Sequence, residues 1–214
     1  MNILRIICSP RGRASESYRL SQTVVDRLIA ASPGAAPQVR DVDATALPYV
    51  DLDYAAALSA RQDPADGSQE RGALGLSSRL IQELRDASHL VIATPMHNFT
   101  VPAALKTWLD HVVRVRHTFQ ITAQGKVGSL ADRPVYVAIS SGGDFGRGAH
   151  SQPDFLTPYL RYVLGTIGIR DVTFFSVQGT ARGDAARQEA RAQAQADIAA
   201  HLCAADALPA SRAA

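Results

Sequence analysis

Residues 2–18, NILRIICSPRGRASESY, contain the transition that decides the fold. The apolar run over residues 2–8 is short and rich in Ile and Leu, which predicts a buried strand. A helical pattern of apolar residues begins at Ser17 and continues to about Ala31. Between them lies a turn crowded with serine, arginine, proline and glycine. A strand, a turn and a helix in this order form one unit of an α/β protein.

The same alternation continues along the chain. Further strands are predicted over residues 38–42, 89–94, 134–141 and 171–177, with helices over 74–86, around Trp108, over 154–166 and over 182–205. In the helix around Trp108, the apolar positions Val101, Leu105, Trp108 and Val112 face the core. Asp110 and Arg114 are spaced to pair on the solvent side of that helix.

Five strands alternating with helices predict an α/β three-layer sandwich. We expect a five-stranded parallel sheet in the flavodoxin-like order 2-1-3-4-5, with helices on both faces. Residues 1–207 are expected to form one domain, and residues 208–214 a frayed tail. The segment 47–67 is too long for a simple connection, so we expect it to pack over a site or on a partner.

Composition excludes several classes of protein. The 214 residues carry 22 Lys and Arg against 20 Asp and Glu, a net charge of +2 without a long basic run, so nothing favours nucleic acid. Cys8 and Cys203 do not form the framework of a secreted disulfide scaffold, and we interpret both as core or spectator residues. Without a leader pattern or a membrane-spanning apolar run, we expect a cytoplasmic protein with no membrane contact.

Three unusual loops follow the first, third and fourth predicted strands. In an open parallel sheet, ligands bind outside the carboxyl ends of the strands where the strand order reverses, here between the first and third. The loops are SPRGRASES, PMHNFTVP and SSGGDFGRG, and the ends of the second and fifth strands carry nothing comparable. Strands about 4.8 Å apart place the three loops along roughly 10 Å of one edge. That distance suits an elongated ligand with an anionic end and a flat end, such as FMN.

The serine turn after the first strand is interpreted as a phosphate site. Ser9, Ser15 and Ser17 can donate hydroxyl hydrogen bonds, and the free amides of the first helical turn carry the positive end of the helix dipole. The alternative is an ordinary helix cap, in which Ser15 or Ser17 satisfies those amides.

The other two loops can present backbone to a planar ring. Prolines bracket PMHNFTVP and stiffen it, with Asn98 and Phe99 at its centre; alternatively, this loop only starts the next helix, with Pro102 at its first position. Consecutive glycines after the fourth strand allow a ligand to approach the backbone closely, although many loops share that feature.

Other nucleotide and catalytic motifs do not occur in the sequence. It contains no G-x-x-x-x-G-K-[ST], no G-x-G-x-x-G after the first strand and no G-x-S-x-G. The six histidines form no pattern typical of a metal site.

These motifs resemble those of a known family, the FMN-dependent NAD(P)H azoreductases, which also reduce quinones. The resemblance rests on SPRG…S-x-S, on PM-x-NF-x-VP-x-x-LK-x-W-x-DH, on S-x-GG and on TPYL…LG-x-IGI-x-DV, and covers nearly the whole chain. It implies a homodimer that binds one FMN tightly per subunit near the interface. It also implies NADH or NADPH as co-substrate and a ping-pong, two-electron reduction of quinones and azo compounds.

The resemblance also implies which residues bind the ligands. The phosphate and ribityl chain would be held by Ser9, Ser15, Glu16 and Ser17. The isoalloxazine ring would be lined by Pro95, Met96, His97, Asn98 and Phe99. The far edge of the ring would be met by Ser140, Ser141, Gly142 and Gly143. Arg61, Phe119 and Ile121 would border the substrate pocket. Where the family often has tyrosine this chain has His97, which bears on acceptor preference, redox potential and pH dependence.

Two other functions are compatible with the same fold. One is a flavodoxin-type electron carrier without its own NAD(P)H activity, although such carriers generally present an acidic face and this chain is slightly basic. The other is a ligand-sensing module without turnover.

Overall fold

A parallel sheet of five strands lies at the centre of the protein, whose structure, a computed structural model, describes residues 1–32, 34, 36–60, 71–146 and 151–206. The strands are β1 (Asn2–Ile7), β2 (Gln38–Asp43), β3 (His89–Pro95), β4 (Phe119–Thr122), β5 (Gly125–Gly128), β6 (Val135–Ser140) and β7 (Val172–Val177). The main sheet has the order β2-β1-β3-β6-β7, and every neighbouring pair in it is parallel.

This sheet confirms the predicted flavodoxin-like fold. Because β4 and β5 pair only with each other, the five main strands taken in chain order have the arrangement 2-1-3-4-5. The central strands β1, β3 and β6 are buried along almost their whole length. A strand covered on both faces is mostly apolar, which is why these strands read as nearly continuous apolar runs. Arg5 of β1 is a buried exception, and its guanidinium bonds both carboxylate oxygens of Asp41.

Helices cover both faces of the sheet. The six helices in the described ranges are α1 (Glu16–Ala30), α2 (Leu52–Ser59), α3 (Gly72–Asp86), α4 (Ala103–Val112), α5 (Thr157–Thr166) and α6 (Asp184–Asp206). Residues of α1 and α6, such as Val24 and Ile198, form one apolar core with the sheet. The other core contains Ile81 of α3, Trp108 of α4 and Leu160 of α5, so the sandwich has the three predicted layers.

One predicted ion pair is wrong. Arg114 does not pair with Asp110 on the solvent side, because α4 ends at Val112 and Arg114 lies beyond the helix. Its side chain is buried, and the guanidinium donates to Ser78 Oγ at 3.2 Å. Asp110 instead pairs with Lys106, one helical turn earlier on the same helix.

The hairpin of β4 and β5 was not predicted. Its strands are mostly exposed, so they lack the alternation of buried and exposed residues that identifies a strand in a sequence. The hairpin end packs against the turn between α5 and β7, where Gly168 has φ of +107°. A Cβ on Gly168 would lie 2.5 Å from the carbonyl oxygen of Leu130, so only glycine fits this contact.

Part of the predicted excursion over residues 47–67 is the helix α2. Tyr54 and Ala57 of α2 pack against Ala73 and Leu74 of α3. Residues 61–67 and the expected tail 208–214 lie outside the described residues. No helix within the described ranges is long and apolar enough to span a bilayer.

Candidate functional site

All three predicted loops contribute to one cavity at the carboxyl edge of the sheet. Its volume is about 240 Å³, and its walls come from the ends of β1, β3 and β6, with Thr180 from the loop after β7. The lining residues are Ser9, Pro10, Arg11, Ser15, Glu16, Pro95, Met96, His97, Ser140, Ser141, Gly142 and Thr180. Most of the residues predicted to bind a cofactor are therefore brought together; Ser17, Asn98, Phe99 and Gly143 lie beside the cavity rather than in its wall.

Ser15 is the N-cap of α1, and the hydrogen-bonding capacity of its hydroxyl is filled. Ser15 Oγ donates to the carbonyl oxygen of Gly12 at 2.8 Å and accepts from the backbone N–H of Tyr18 at 3.2 Å. Ser17 Oγ lies 3.3 Å from Ser15 Oγ, and because the Ser15 hydrogen is already used, Ser17 is the donor in that contact. The structure confirms that Ser15 caps α1, as the alternative interpretation has it, and both hydroxyls bond within the turn.

The donors that remain at the start of α1 are mainly backbone groups. The N–H groups of Glu16 and Ser17 make no hydrogen bond to any described part of the chain. Such N–H groups carry the positive end of the helix dipole. Ser9 Oγ accepts a bond of 3.3 Å from the N–H of Arg11, and its own hydrogen has no acceptor among the described residues. Two amides at a helix start, with one hydroxyl of the preceding turn, are donors suited to an anion, so the residues present fit the phosphate of FMN.

The loop after β3, bracketed by Pro95 and Pro102, forms a tight turn at its centre. His97 and Thr100 exchange two backbone hydrogen bonds of 3.0 Å, and the central residues Asn98 and Phe99 have φ of +47° and +71°. Positive φ is uncommon for a residue as bulky as Phe: it costs about 1–3 kcal/mol and persists only where surrounding contacts offset that cost. Here the carbonyl oxygen of Phe99 accepts from the N–H of Phe155 at 3.0 Å. The turn is thus fixed from outside, with the Phe99 side chain half exposed.

The loop after β6 is held in place by two residues that the sequence analysis missed. Gln152 Nε2 donates to Ser141 Oγ at 3.1 Å and contacts Met96 Sδ at 3.4 Å, so it joins the loops after β3 and β6. The N–H of Thr180 donates to the carbonyl oxygen of Ser141 at 3.1 Å. Thr180 therefore contributes to the cavity although its loop carries no motif comparable to the other three. Gln152 lies later in the same connection between β6 and α5, and Thr180 lies in the loop after β7. Neither belongs to a local motif that could have identified it.

A second cavity of about 360 Å³ adjoins the first and shares Pro10 and His97 with it. It lies between the start of α4 and the segment after β2, and Tyr49 and Cys8 are among its lining residues. Burial strongly raises the pKa of the Cys8 thiol, with a smaller contribution from the charge of Asp43. A thiol held in its protonated form is a poor nucleophile, which supports the interpretation of Cys8 as a core residue.

The predicted substrate residues do not line either cavity in the described part of the chain. Arg61 lies outside the described residues. Phe119 is buried in the core, and Ile121 is exposed on the hairpin of β4 and β5. Their assignment to a substrate pocket stays a prediction that depends on a second subunit.

Comparisons with known proteins agree with this geometry. Residues 1–202 match the model of a family described as having a flavodoxin-like fold. A protein of Burkholderia lata named FMN-dependent NADH:quinone oxidoreductase 5 is 45% identical over 192 residues, which are 90% of this chain and 92% of that protein. FMN-dependent NADH:quinone oxidoreductase 4 of Pseudomonas fluorescens is 47% identical over 186 residues, which are 86% of this chain and 87% of that protein.

Solved structures share the fold at lower sequence identity. An azoreductase from Bacillus anthracis str. Sterne has a TM-score of 0.79 at 20% identity, covering 94% of this chain and 98% of its own. An FMN-dependent NADH-azoreductase from Bacillus anthracis str. Ames Ancestor, in complex with FMN, has a TM-score of 0.75 at 23% identity, covering 94% and 99%. From the match over residues 1–202 and the identities above 40%, the chain belongs to the flavodoxin-like family that includes the FMN-dependent NADH:quinone oxidoreductases.

Proposed function

We propose that the protein is an FMN-dependent NADH:quinone oxidoreductase that also reduces azo compounds. The observation that carries this function is the pair of N–H groups of Glu16 and Ser17, which have no partner in the described parts of the chain. Glu16 lines a cavity that continues to His97 after β3 and to Gly142 after β6. The names of the relatives specify FMN, NADH and quinone. The azo substrates rest on the fold shared with azoreductases.

The residues of the chain bind and orient the cofactor rather than react. The amides of Glu16 and Ser17, with Ser9 Oγ, would hold the FMN phosphate. The turn of residues 97–100 and the backbone of Ser141, Gly142 and Gly143 would border the ring, where the missing side chains of the glycines permit close approach. Bound FMN would supply the two-electron chemistry, which converts NADH to NAD⁺ and, with a proton from solvent, a quinone to the hydroquinone. Such transfer needs no acid–base pair in the protein, only fixed donors and orientation.

A homodimer with the site near the interface is part of this proposal. Tyr49, which lines the second cavity, is 76% exposed. Leu52, three residues later, is 83% exposed, and Phe155, whose N–H bonds the turn after β3, is 59% exposed. Exposed apolar groups clustered beside a site are typical of a surface that a partner covers. A second subunit would also complete a substrate pocket that Phe119 and Ile121 of one chain do not reach. We further propose a cytoplasmic location, consistent with two free cysteines in the chain.

Steady-state kinetics with the FMN-loaded protein distinguish an enzyme from a pure electron carrier. One site that serves NADH and quinone in turn predicts parallel double-reciprocal lines when both concentrations are varied. Intersecting lines would contradict a shared site. The absence of NADH-dependent quinone reduction would favour the carrier, which needs a separate reductase.

A further inference from the structure

A carboxylate lies where the proposed phosphate site needs positive charge. Glu16 is the first residue of α1 and lines the cavity next to Ser9 and Ser15. The helix dipole favours a carboxylate at this end, but the same dipole is what a bound phosphate uses. Without compensating charges, the Glu16 carboxylate would repel the phosphate at short range. Because its side chain is only 13% exposed, water and salt would screen this repulsion poorly.

Three arginines surround this carboxylate. Arg191 binds it through a fork, with Nη2 at 2.8 Å from Oε1 and 2.9 Å from Oε2, and Nε at 3.1 Å from Oε2. Arg19 Nη1 lies 3.2 Å from Oε1, and Arg187 Nε lies 3.9 Å from the same atom. Arg187 also pairs with Asp184, so three positive charges face two negative ones, and the cluster keeps a net positive charge beside the cavity.

The central arginine comes from the other end of the chain. Arg191 lies on α6, 175 residues after Glu16, and packs beside α1 with its side chain 31% exposed. The arginines of the serine turn itself are less constrained, since Arg11 is exposed and the side chain of Arg13 is 79% exposed. Held by both oxygens of Glu16, Arg191 has the best-fixed geometry of the three arginines that surround this carboxylate.

We propose that Arg191, assisted by Arg187, is a positioning residue for the phosphate end of the cofactor. Arg191 neutralises the charge of Glu16 and keeps the start of α1 electropositive. Helix α6 therefore contributes to the cofactor site without touching the ring. This inference rests on the proposed function, and it assigns to Glu16 the task of holding the arginines rather than contacting FMN through its carboxylate.

Comparison of FMN with riboflavin, which lacks the phosphate, separates this role from a purely structural ion pair. Dissociation constants would be measured by flavin fluorescence at low ionic strength for wild type, R191Q, E16Q and the double variant E16Q/R191Q. We expect R191Q to weaken FMN binding about tenfold, which corresponds to about 1.4 kcal/mol, and to change riboflavin binding less than about twofold. E16Q should bind FMN as well as or better than wild type, and E16Q/R191Q should recover most of the affinity that R191Q loses.

R27Q is the matched control, because it removes the same charge from the far end of α1, where Arg27 is exposed. It should leave both affinities unchanged. If R191Q weakened the binding of FMN and riboflavin equally, its role would be structural and the inference would be overturned. Unchanged FMN binding by R191Q would also overturn it. So would a double variant that binds FMN no more tightly than R191Q does. Urea unfolding of each variant identifies loss of folding. Wild type that binds neither flavin would instead refute the proposed function.

Discussion

Ser9 and Ser15 look equivalent in the sequence, but the structure gives their hydroxyls different tasks. The Ser15 hydroxyl is engaged by Gly12, Ser17 and Tyr18, whereas the Ser9 hydrogen has no acceptor within the described residues. A serine-rich turn predicts a phosphate site, but the direction of each hydroxyl depends on a rotamer that sequence does not determine. The sequence could therefore predict the site and not the donors.

This difference predicts opposite effects of two substitutions. Ser15→Ala should lower the free energy of unfolding by about 1 kcal/mol through loss of the helix cap, with little direct effect on FMN affinity. Ser9→Ala should weaken FMN binding about tenfold, because it removes a hydrogen bond to a charged group, while the free energy of unfolding changes by less than about 0.5 kcal/mol. Urea denaturation and FMN titration measure the two quantities. Ser15→Asn, which retains a capping side chain, is the control for stability. The reverse pattern would assign the phosphate contact to Ser15.

At the scale of elements, one carboxylate joins two helices. Asp51 is the N-cap of α2 and accepts from the N–H of Tyr54 at 2.8 Å, while its other oxygen accepts from the N–H of Ala73 in α3 at 3.2 Å. These backbone hydrogen bonds, that of Tyr54 first, lower the pKa of Asp51 below its ordinary value. The ionised form therefore stabilises the fold above the unfolded pKa of about 3.9, and that stabilisation is lost as the pH falls through the lower folded value.

Asp51→Asn keeps one capping oxygen but loses the second acceptor and the charge, so it should reduce the free energy of unfolding by about 0.5–1.5 kcal/mol at pH 7. The difference from wild type should stay constant down to about pH 5 and shrink below about pH 4. Urea titrations at a series of pH values measure it. Asp53→Asn removes the same charge from an exposed residue in the first turn of α2 and should have a smaller effect. If the difference in unfolding free energy between D51N and wild type grew on acidification, the predicted direction of the pH dependence would be wrong.

The docking of the β4–β5 hairpin depends on glycine at its contact with the turn before β7. Gly168→Ala combines an unfavourable φ with a collision against Leu130 and should cost on the order of 3 kcal/mol of unfolding free energy. Gly165→Ala, three residues earlier in α5 with open space at the Cβ, should be neutral or stabilising by up to about 1 kcal/mol. Thermal and urea unfolding compare the two variants. Similar unfolding free energies for G168A and G165A would show that the turn at Gly168 accommodates a Cβ without losing stability.

For the whole molecule, the parts that could be predicted are those with a periodic pattern. Strands buried on both faces and helices with a core-facing stripe around Leu20 or Trp108 give strong patterns, and their alternation gives the sheet order. The exposed hairpin has no such pattern. Gln152, Thr180 and Arg191 act through contacts between segments far apart in sequence, so only the folded chain identifies them.

A visible spectrum of the FMN-loaded protein under argon, recorded before and after addition of NADH, tests the proposed function most directly. One FMN per subunit should copurify or bind on titration, and NADH alone should bleach the bound flavin, with the colour returning when a quinone is added. Protein that stays colourless with excess FMN, or whose bound flavin keeps its absorption after NADH, would contradict the proposed enzyme.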